Sequence, residues 1–126
     1  MNMLTGKTIL IVDDEIDLRD ALEFEFEMME LKVLKASGGI EALEIIKKGP
    51  RIDLVLSDIR MPKGDGIELL KAIRKLDPKI PIVAMITGFS NMPDAKLLQF
   101  GATKVFHKPI KIEEVCECFE KALATV

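Results

Sequence analysis

The chain has 126 residues, with 18 Lys plus Arg against 21 Asp plus Glu and a formal net charge of −3. That length suits one domain, residues 1–126, able to bury roughly two thirds of its unfolded surface without disulfides or a structural metal, and the charge gives no footprint for nucleic acid or an anionic membrane. The longest mostly apolar run, 80–86, is broken by Pro81 and too short for a membrane span, and residues 1–7 lack a signal-peptide core, so a cytoplasmic protein with a small protein or metal partner is expected.

Short runs rich in Ile, Val and Leu alternate with longer helix-period segments, without repeats, low-complexity stretches or linkers. In chain order the spacing predicts strands over 7–12, 31–36, 52–57, 80–86 and 103–106. Helices are predicted between and after them over 15–29, 39–48, 66–76, 93–99 and 112–124. Strands apolar on both faces imply a parallel sheet covered by helices on each side, so the fold class is α/β, a doubly wound five-stranded parallel sheet.

The first helix carries an internal conflict. Residues 23–28, EFEFEM, alternate strictly and suit a strand by themselves. However, Leu18, Leu22, Phe26 and Met29 form a helical stripe, and two neighbouring parallel strands need a crossover between them. That wheel puts Glu25 among the apolar positions and turns Phe24 outward. Later boundaries have local causes: Gly49-Pro50 stops the second helix, Asp65 with Glu68 fits a capping box, Pro93 suits a first turn, and Gly101 suits the residue after a last turn.

In the last helix Ile112, Val115, Phe119, Ala122 and Leu123 make the apolar stripe, while Glu114, Glu117 and Lys121 face water. Cys116 borders the stripe and Cys118 is expected to be exposed. Two residues apart, they point to opposite sides of the helix and do not bridge. With a single histidine in the chain there is no second ligand pair for zinc, so two reduced thiols are expected.

Ligands of an open parallel sheet gather beyond the carboxyl ends of its strands. Strand one brings Asp13 and Asp14 to that edge in the stretch IVDDE, strand three Asp58, strand four Thr87 and Gly88, and strand five Lys108 after Phe106 and His107. Each alone has an ordinary explanation as a cap, a turn residue or a solvated charge. Three carboxylates, a hydroxyl and an ammonium converging on one edge make a constellation for chemistry. Adjacent acids ending a buried strand raise each other's proton affinity unless something positive sits between them.

The motifs ILIVDDE, DLVLSDIRMPKGDGIELL, IVAMITG and VFHKP, in that order and over nearly the whole chain, resemble those of the response-regulator receiver domain, the phosphoacceptor half of two-component signalling. The resemblance implies strand order 2-1-3-4-5 with helices on both faces. It implies that Asp58 is the phosphoacceptor, and that Asp14, Asp58 and the backbone carbonyl of Arg60 hold Mg²⁺, with Asp13 acting through a metal-bound water. Lys108 would offset phosphoryl charge, Thr87 would hydrogen-bond the new group, and Gly88 would keep the site open. As Thr87 shifts toward the phosphoryl group, Phe106 would turn inward and switch a surface made of helix four, strand five and helix five.

The implied partner is a sensor histidine kinase or phosphotransfer protein, whose phosphohistidine supplies the group. The chain would be a signalling domain that catalyses its own phosphorylation and dephosphorylation. Lys108-Pro109 would be a cis peptide, as is usual in the family. His107 is expected to take no part in the chemistry, because strand alternation turns it away from Phe106.

Three positions depart from the family pattern. Glu30 stands where glycine is frequent after the first helix, so a left-handed residue there costs about 1 kcal/mol or the helix ends differently. Thr87 to Lys108 is one residue shorter than the commonest spacing, with the loss within PDAKLLQFGA, so a short or shifted fourth helix is expected. Arg60 fills a variable position to which tuning of phosphoryl lifetime is attributed, and its long cationic side chain either shields or positions an acyl phosphate.

Two rival readings have residue requirements of their own. A haloacid-dehalogenase-type phosphatase needs a second aspartate two residues after the nucleophile, where this chain has Arg60. A pseudo-receiver, which binds partners without being phosphorylated, usually lacks one or more of the five residues that are all present here.

Overall fold

The alternation of apolar runs and helical stripes resolves, in a computed structural model describing residues 3–88 and 92–125, into ten elements. They are β1 (Thr8–Val12), α1 (Ile16–Met28), β2 (Lys32–Ala36), α2 (Gly39–Lys47), β3 (Leu54–Asp58), α3 (Gly66–Leu76), β4 (Ile82–Thr87), α4 (Asp94–Gln99), β5 (Lys104–His107) and α5 (Ile112–Ala124). The strands form one parallel sheet in the order β2-β1-β3-β4-β5. Chain order therefore reverses between β1 and β3, which places the ligand-binding crevice of such folds at their carboxyl ends.

Side chains alternate across the strands into two cores. Ile9 and Ile11 of β1, Leu54 and Leu56 of β3 and Ile82, Ala84 and Ile86 of β4 pack with Leu22 and Phe26 of α1 and Val115 and Phe119 of α5. Leu10, Val12, Val55, Val83 and Met85 point the other way, onto Ala42 of α2, Leu69, Leu70 and Ile73 of α3 and Leu97 of α4. The central β3 and β4 are buried along their whole length, whereas the edge strands β2 and β5 keep exposed lysines. Charged edge strands resist pairing with another sheet.

Helix ends follow local rules, with some shifts. Asp65 caps α3, its carboxylate accepting the Glu68 N–H at 2.8 Å. Pro93 is the extended N-cap of α4 rather than part of its first turn, because its ψ of 144° lies outside the helical region. The helix is accordingly short, at six residues. It closes with Gly101 at φ +113° and the Ala102 N–H returning to the Leu97 carbonyl at 3.1 Å, a Schellman end.

The same closure ends α1 at a less suitable residue. Leu31 N–H bonds the Phe26 carbonyl at 3.2 Å and Glu30 N–H the Glu27 carbonyl at 2.9 Å, forcing Glu30 to φ +65°. Along α1 the helix overrides the strand-like alternation: Leu22 and Phe26 are buried and Phe24 is 64% exposed. Glu25, expected among the apolar positions, is instead exposed, since it lies at the margin of the stripe. Cys116 is buried as expected, its sulfur 3.6 Å from that of Met29 and its thiol pushed up to about 11 by burial. Cys118 is half-buried rather than exposed, sharing a recess with Thr103 and Lys104 of the sheet's last edge.

Two substitutions test these backbone requirements. Glu30→Gly is expected to raise the unfolding free energy by about 0.5–1 kcal/mol by removing a left-handed Cβ, read as a higher urea midpoint. A lower midpoint would mean that the side chain contributes more than its backbone costs. At Gly66 a Cβ would overlap the Asp58 carbonyl oxygen and press on Met85. Gly66→Ala is therefore expected to cost about 1–3 kcal/mol in the same measurement, and an unchanged midpoint would contradict that tight approach of α3 to β3.

Candidate functional site

Because all five strands run the same way, the residues singled out at their ends meet at one edge. Asp58 and Thr87, expected just after their strands, are the last residues of β3 and β4, held by the pairings Asp58↔Ile86 and Thr87↔His107. Asp13 follows β1 directly, its N–H bonded to the Ala36 carbonyl of β2 at 3.2 Å and its carbonyl accepting Arg19 Nη1 at 2.8 Å. Lys108 follows β5, its N–H bonded to the Thr87 carbonyl at 2.8 Å. Backbone ladders, not the polar side chains, fix the site.

One carboxylate oxygen from each of Asp13, Asp14 and Asp58 lies within 4.8 Å of the others. Asp13 is 1% exposed and Asp58 6%, while Asp14 is open to solvent. One Asp13 oxygen accepts the Glu15 N–H at 2.8 Å, and the other, Oδ2, is buried without a partner. Burial pushes the Asp13 carboxyl above its ordinary value and the Asp58 charge adds to that, while the Glu15 N–H and the Lys108 charge pull it down. A buried carboxylate oxygen without a partner, on a residue grouped with two other carboxylates, favours positive charge nearby.

Asp58 spends Oδ1 on the Ile59 N–H at 2.7 Å and Oδ2 on Lys108 Nζ at 3.0 Å. The ammonium also reaches Glu15 Oε1 at 3.4 Å. Burial works against the charged lysine, but the hydrogen bond to Asp58 and the charges of Asp58, Asp13 and Glu15 outweigh it and hold its pKa above the ordinary value. The Lys108-Pro109 peptide is cis, as is Ile80-Pro81.

Thr87 is 3% exposed and its Oγ1 is buried without a partner. Gly88 is exposed, and a Cβ there would sit 3.4 Å from Cδ of Lys108, so the missing side chain leaves space for the lysine's stem. Phe106, expected to turn inward on phosphorylation, already lies inside: it is 6% exposed, in the core shared with Ile86 and Val115. Burial of its ring, worth roughly 2–3 kcal/mol, favours that position without any added group.

Arg60 is exposed at the start of the β3–α3 loop, after Ile59, whose N–H bonds the Ile86 carbonyl at 3.1 Å. That loop is pinned to α2 by the Gly39 N–H on the Gly64 carbonyl at 2.8 Å. His107 is exposed, and its Nε2 lies 2.8 Å from Asp94 Oδ2 at the start of α4.

Three features were not anticipated. Glu15 is a partner of Lys108, a contact across 93 positions that no local pattern signals. Asp94 pairs with His107 for the same kind of long-range reason. Asp53, buried at the opposite edge of the sheet, accepts the Thr8 N–H and Arg51 Nε, both at 3.0 Å, and so closes the amino ends of β1 and β3.

Set against known proteins, residues 9–120 match the family model described as the response regulator receiver domain. The chain is 37% identical over 121 residues to the response regulator protein PilR of Pseudomonas aeruginosa, an alignment covering 95% of this chain and 27% of PilR. It is 34% identical over 123 residues to sporulation initiation phosphotransferase F of Bacillus subtilis, covering 95% of this chain and 96% of that protein. The response regulator protein TrrA of Thermotoga maritima, solved in complex with Mg(2+)-BeF, superposes with a TM-score of 0.80 at 31% identity, over 92% of this chain and 98% of that one. The matched residues take in both cores and the polar edge, and the phosphotransferase is matched nearly end to end, so the chain belongs to the response regulator receiver domains of two-component signalling.

Proposed function

We propose that residues 1–126 act as a single phosphoacceptor domain in which Asp58 takes a phosphoryl group from the phosphohistidine of a sensor kinase or phosphotransfer protein. The observation that carries this reading is the setting of Asp58. Its Oδ2 is 3.0 Å from Lys108 Nζ, and two buried polar atoms at the same edge, Asp13 Oδ2 and Thr87 Oγ1, have no partner. Buried polar atoms without partners are rare and costly, so their presence beside a paired nucleophile fits a site completed by a ligand.

The acidic cluster fits a hard divalent cation that prefers carboxylate oxygen. Asp14, Asp58 and the Arg60 carbonyl would hold Mg²⁺, with Asp13 behind them, and when bound it would neutralise charge gathering on the transferred group. TrrA, 31% identical, was solved with Mg(2+)-BeF. Each residue then has a task. Asp58 Oδ2 attacks phosphorus in line, the new O–P bond forms as the P–N bond to imidazole breaks, and the departing nitrogen keeps the electron pair. Lys108 leaves Asp58 Oδ2 for the phosphoryl oxygens, and the Thr87 hydroxyl donates to the same group. Water attacking phosphorus later restores the carboxylate and releases phosphate.

Among the described residues no helix is long and apolar enough to cross a membrane. The two unpaired thiols fit the cytoplasm, where the proposed donors act. PilR is far longer than this chain, so the downstream partner of the phosphorylated surface is not specified by the likeness.

Intact-mass spectrometry after incubation with acetyl phosphate should give a single phosphoryl adduct that needs Mg²⁺ and is absent from Asp58→Asn. No adduct from any donor would favour a partner-binding domain that is never phosphorylated.

A second prediction concerns Asp13. Its carboxyl is held above its unfolded value, so its contribution to stability is complete below the unfolded pKa and is lost as pH rises through the folded pKa. Above the folded pKa the ionised, partnerless oxygen therefore destabilises the metal-free protein. Asp13→Asn should stabilise it by about 1–2 kcal/mol and reduce the further rise in Tm that Mg²⁺ gives the unaltered chain. An Asp13→Asn protein that is less stable without metal, or gains as much from Mg²⁺, would contradict this account.

A further inference from the structure

We propose that Glu15 is a positioning residue for Lys108, holding the ammonium across the mouth of the site so that an incoming phosphoryl group must displace it. This rests on the reading of Asp58 as phosphoacceptor. Lys108 Nζ is shared between Asp58 Oδ2 at 3.0 Å and Glu15 Oε1 at 3.4 Å. Glu15 occupies the N-cap of α1, yet its side chain makes no capping hydrogen bond. Its carboxylate instead reaches a lysine 93 positions away.

The backbone beneath Glu15 is fixed. Its N–H donates to Asp13 Oδ1 at 2.8 Å and its carbonyl accepts the Arg19 N–H at 3.0 Å. The acid is thus mounted on the segment that carries Asp13 and Asp14, facing the β5–α5 turn that carries Lys108.

The pairing acts on phosphorylation in one direction. Phosphoryl transfer requires Lys108 to turn from carboxylate to phosphoryl oxygen, and Glu15 offers it a competing anion. Glu15 also adds one more negative charge at a mouth that an anionic donor must enter. Side chains of 63% and 26% exposure are screened by salt, so the effect is a modulation of rate and not a condition for chemistry.

The test compares the unaltered chain, Glu15→Gln and Asp17→Asn under acetyl phosphate with Mg²⁺, following the Asp58 adduct by intact mass. Asp17 is an exposed acid in the first turn of the same helix, so its substitution makes the same change of charge two residues away. Glu15→Gln should react about fivefold faster at ~0.02 M ionic strength. The gap should close toward ~0.5 M, where the screening length falls to about 4 Å. Half-saturation by beryllofluoride with Mg²⁺, which involves no group transfer, should fall by a similar factor, and Asp17→Asn should change each readout by less than twofold.

Equal rates and equal salt slopes for Glu15→Gln and the unaltered chain would overturn the assignment while leaving Asp58 in place. Equal acceleration by Asp17→Asn would overturn it in favour of general charge. An unaltered chain that forms no adduct, or an adduct that persists in Asp58→Asn, would bring down the underlying reading and this inference together.

Discussion

The parallel ladder joining β1, β3, β4 and β5 is the constraint on which everything else rests. Strands paired as Val12↔Ser57, Asp58↔Ile86 and Thr87↔His107 must end together, and whatever follows the last apolar residue of each is delivered to one edge. Asp13, Asp58, Thr87 and Lys108 come from four separate parts of the chain, yet none needs its own side-chain interactions to find the others. Two cores, one on each face, hold the ladder rigid, and β3 and β4 in the middle are buried along their whole length. The polar edge is therefore stabilised from a distance by packing that touches none of its chemistry.

That arrangement explains how the site tolerates unfavourable local electrostatics. Asp13 has an oxygen with no partner, and Thr87 a hydroxyl with none. In an isolated loop such groups would turn to water; at the ends of strands locked into a sheet they have nowhere to go. On the proposed reading this frustration is useful, since a cation and a phosphoryl group bring the missing charge and oxygen acceptors. Lys108 cannot serve every acid: it reaches Asp58 and Glu15, and Asp13 feels it only through space.

Much of this was legible in the sequence, because it depends on periodicity and strand ends. Five apolar runs gave five strands, and the order 2-1-3-4-5 implied by the receiver resemblance is the order of the sheet. Shifts of one or two residues at strand ends mattered in one respect, since Asp58 and Thr87 belong to the ladder and are not loop residues. What stayed hidden depends on contacts between distant segments. Glu15 with Lys108 and His107 with Asp94 are side-chain meetings that no periodicity encodes. The half-burial of Cys118 comes from how α5 lies along the outer strand, a tertiary fact, and Glu25 escapes the core because a stripe has margins a helical wheel draws too sharply.

The position of Phe106 bears on how a local charge event would reach the surface. A switch in which the ring swings from solvent into the core requires an outward resting state, and here the ring is inside with Thr87 Oγ1 still unpartnered. On the proposed reading, phosphorylation would favour the inward arrangement only to the extent that the phosphoryl group binds it better than an outward one. The contact available for that weighting is the Thr87 hydroxyl, whose strand neighbour His107 is tied to the first residue of α4 at 2.8 Å. With six residues α4 has little helix of its own to hold it, and one buried side chain, Leu97, anchors it to the core. A movement at the end of β4 would therefore reach a short helix with one buried anchor through His107 and Asp94, where a displacement costs little.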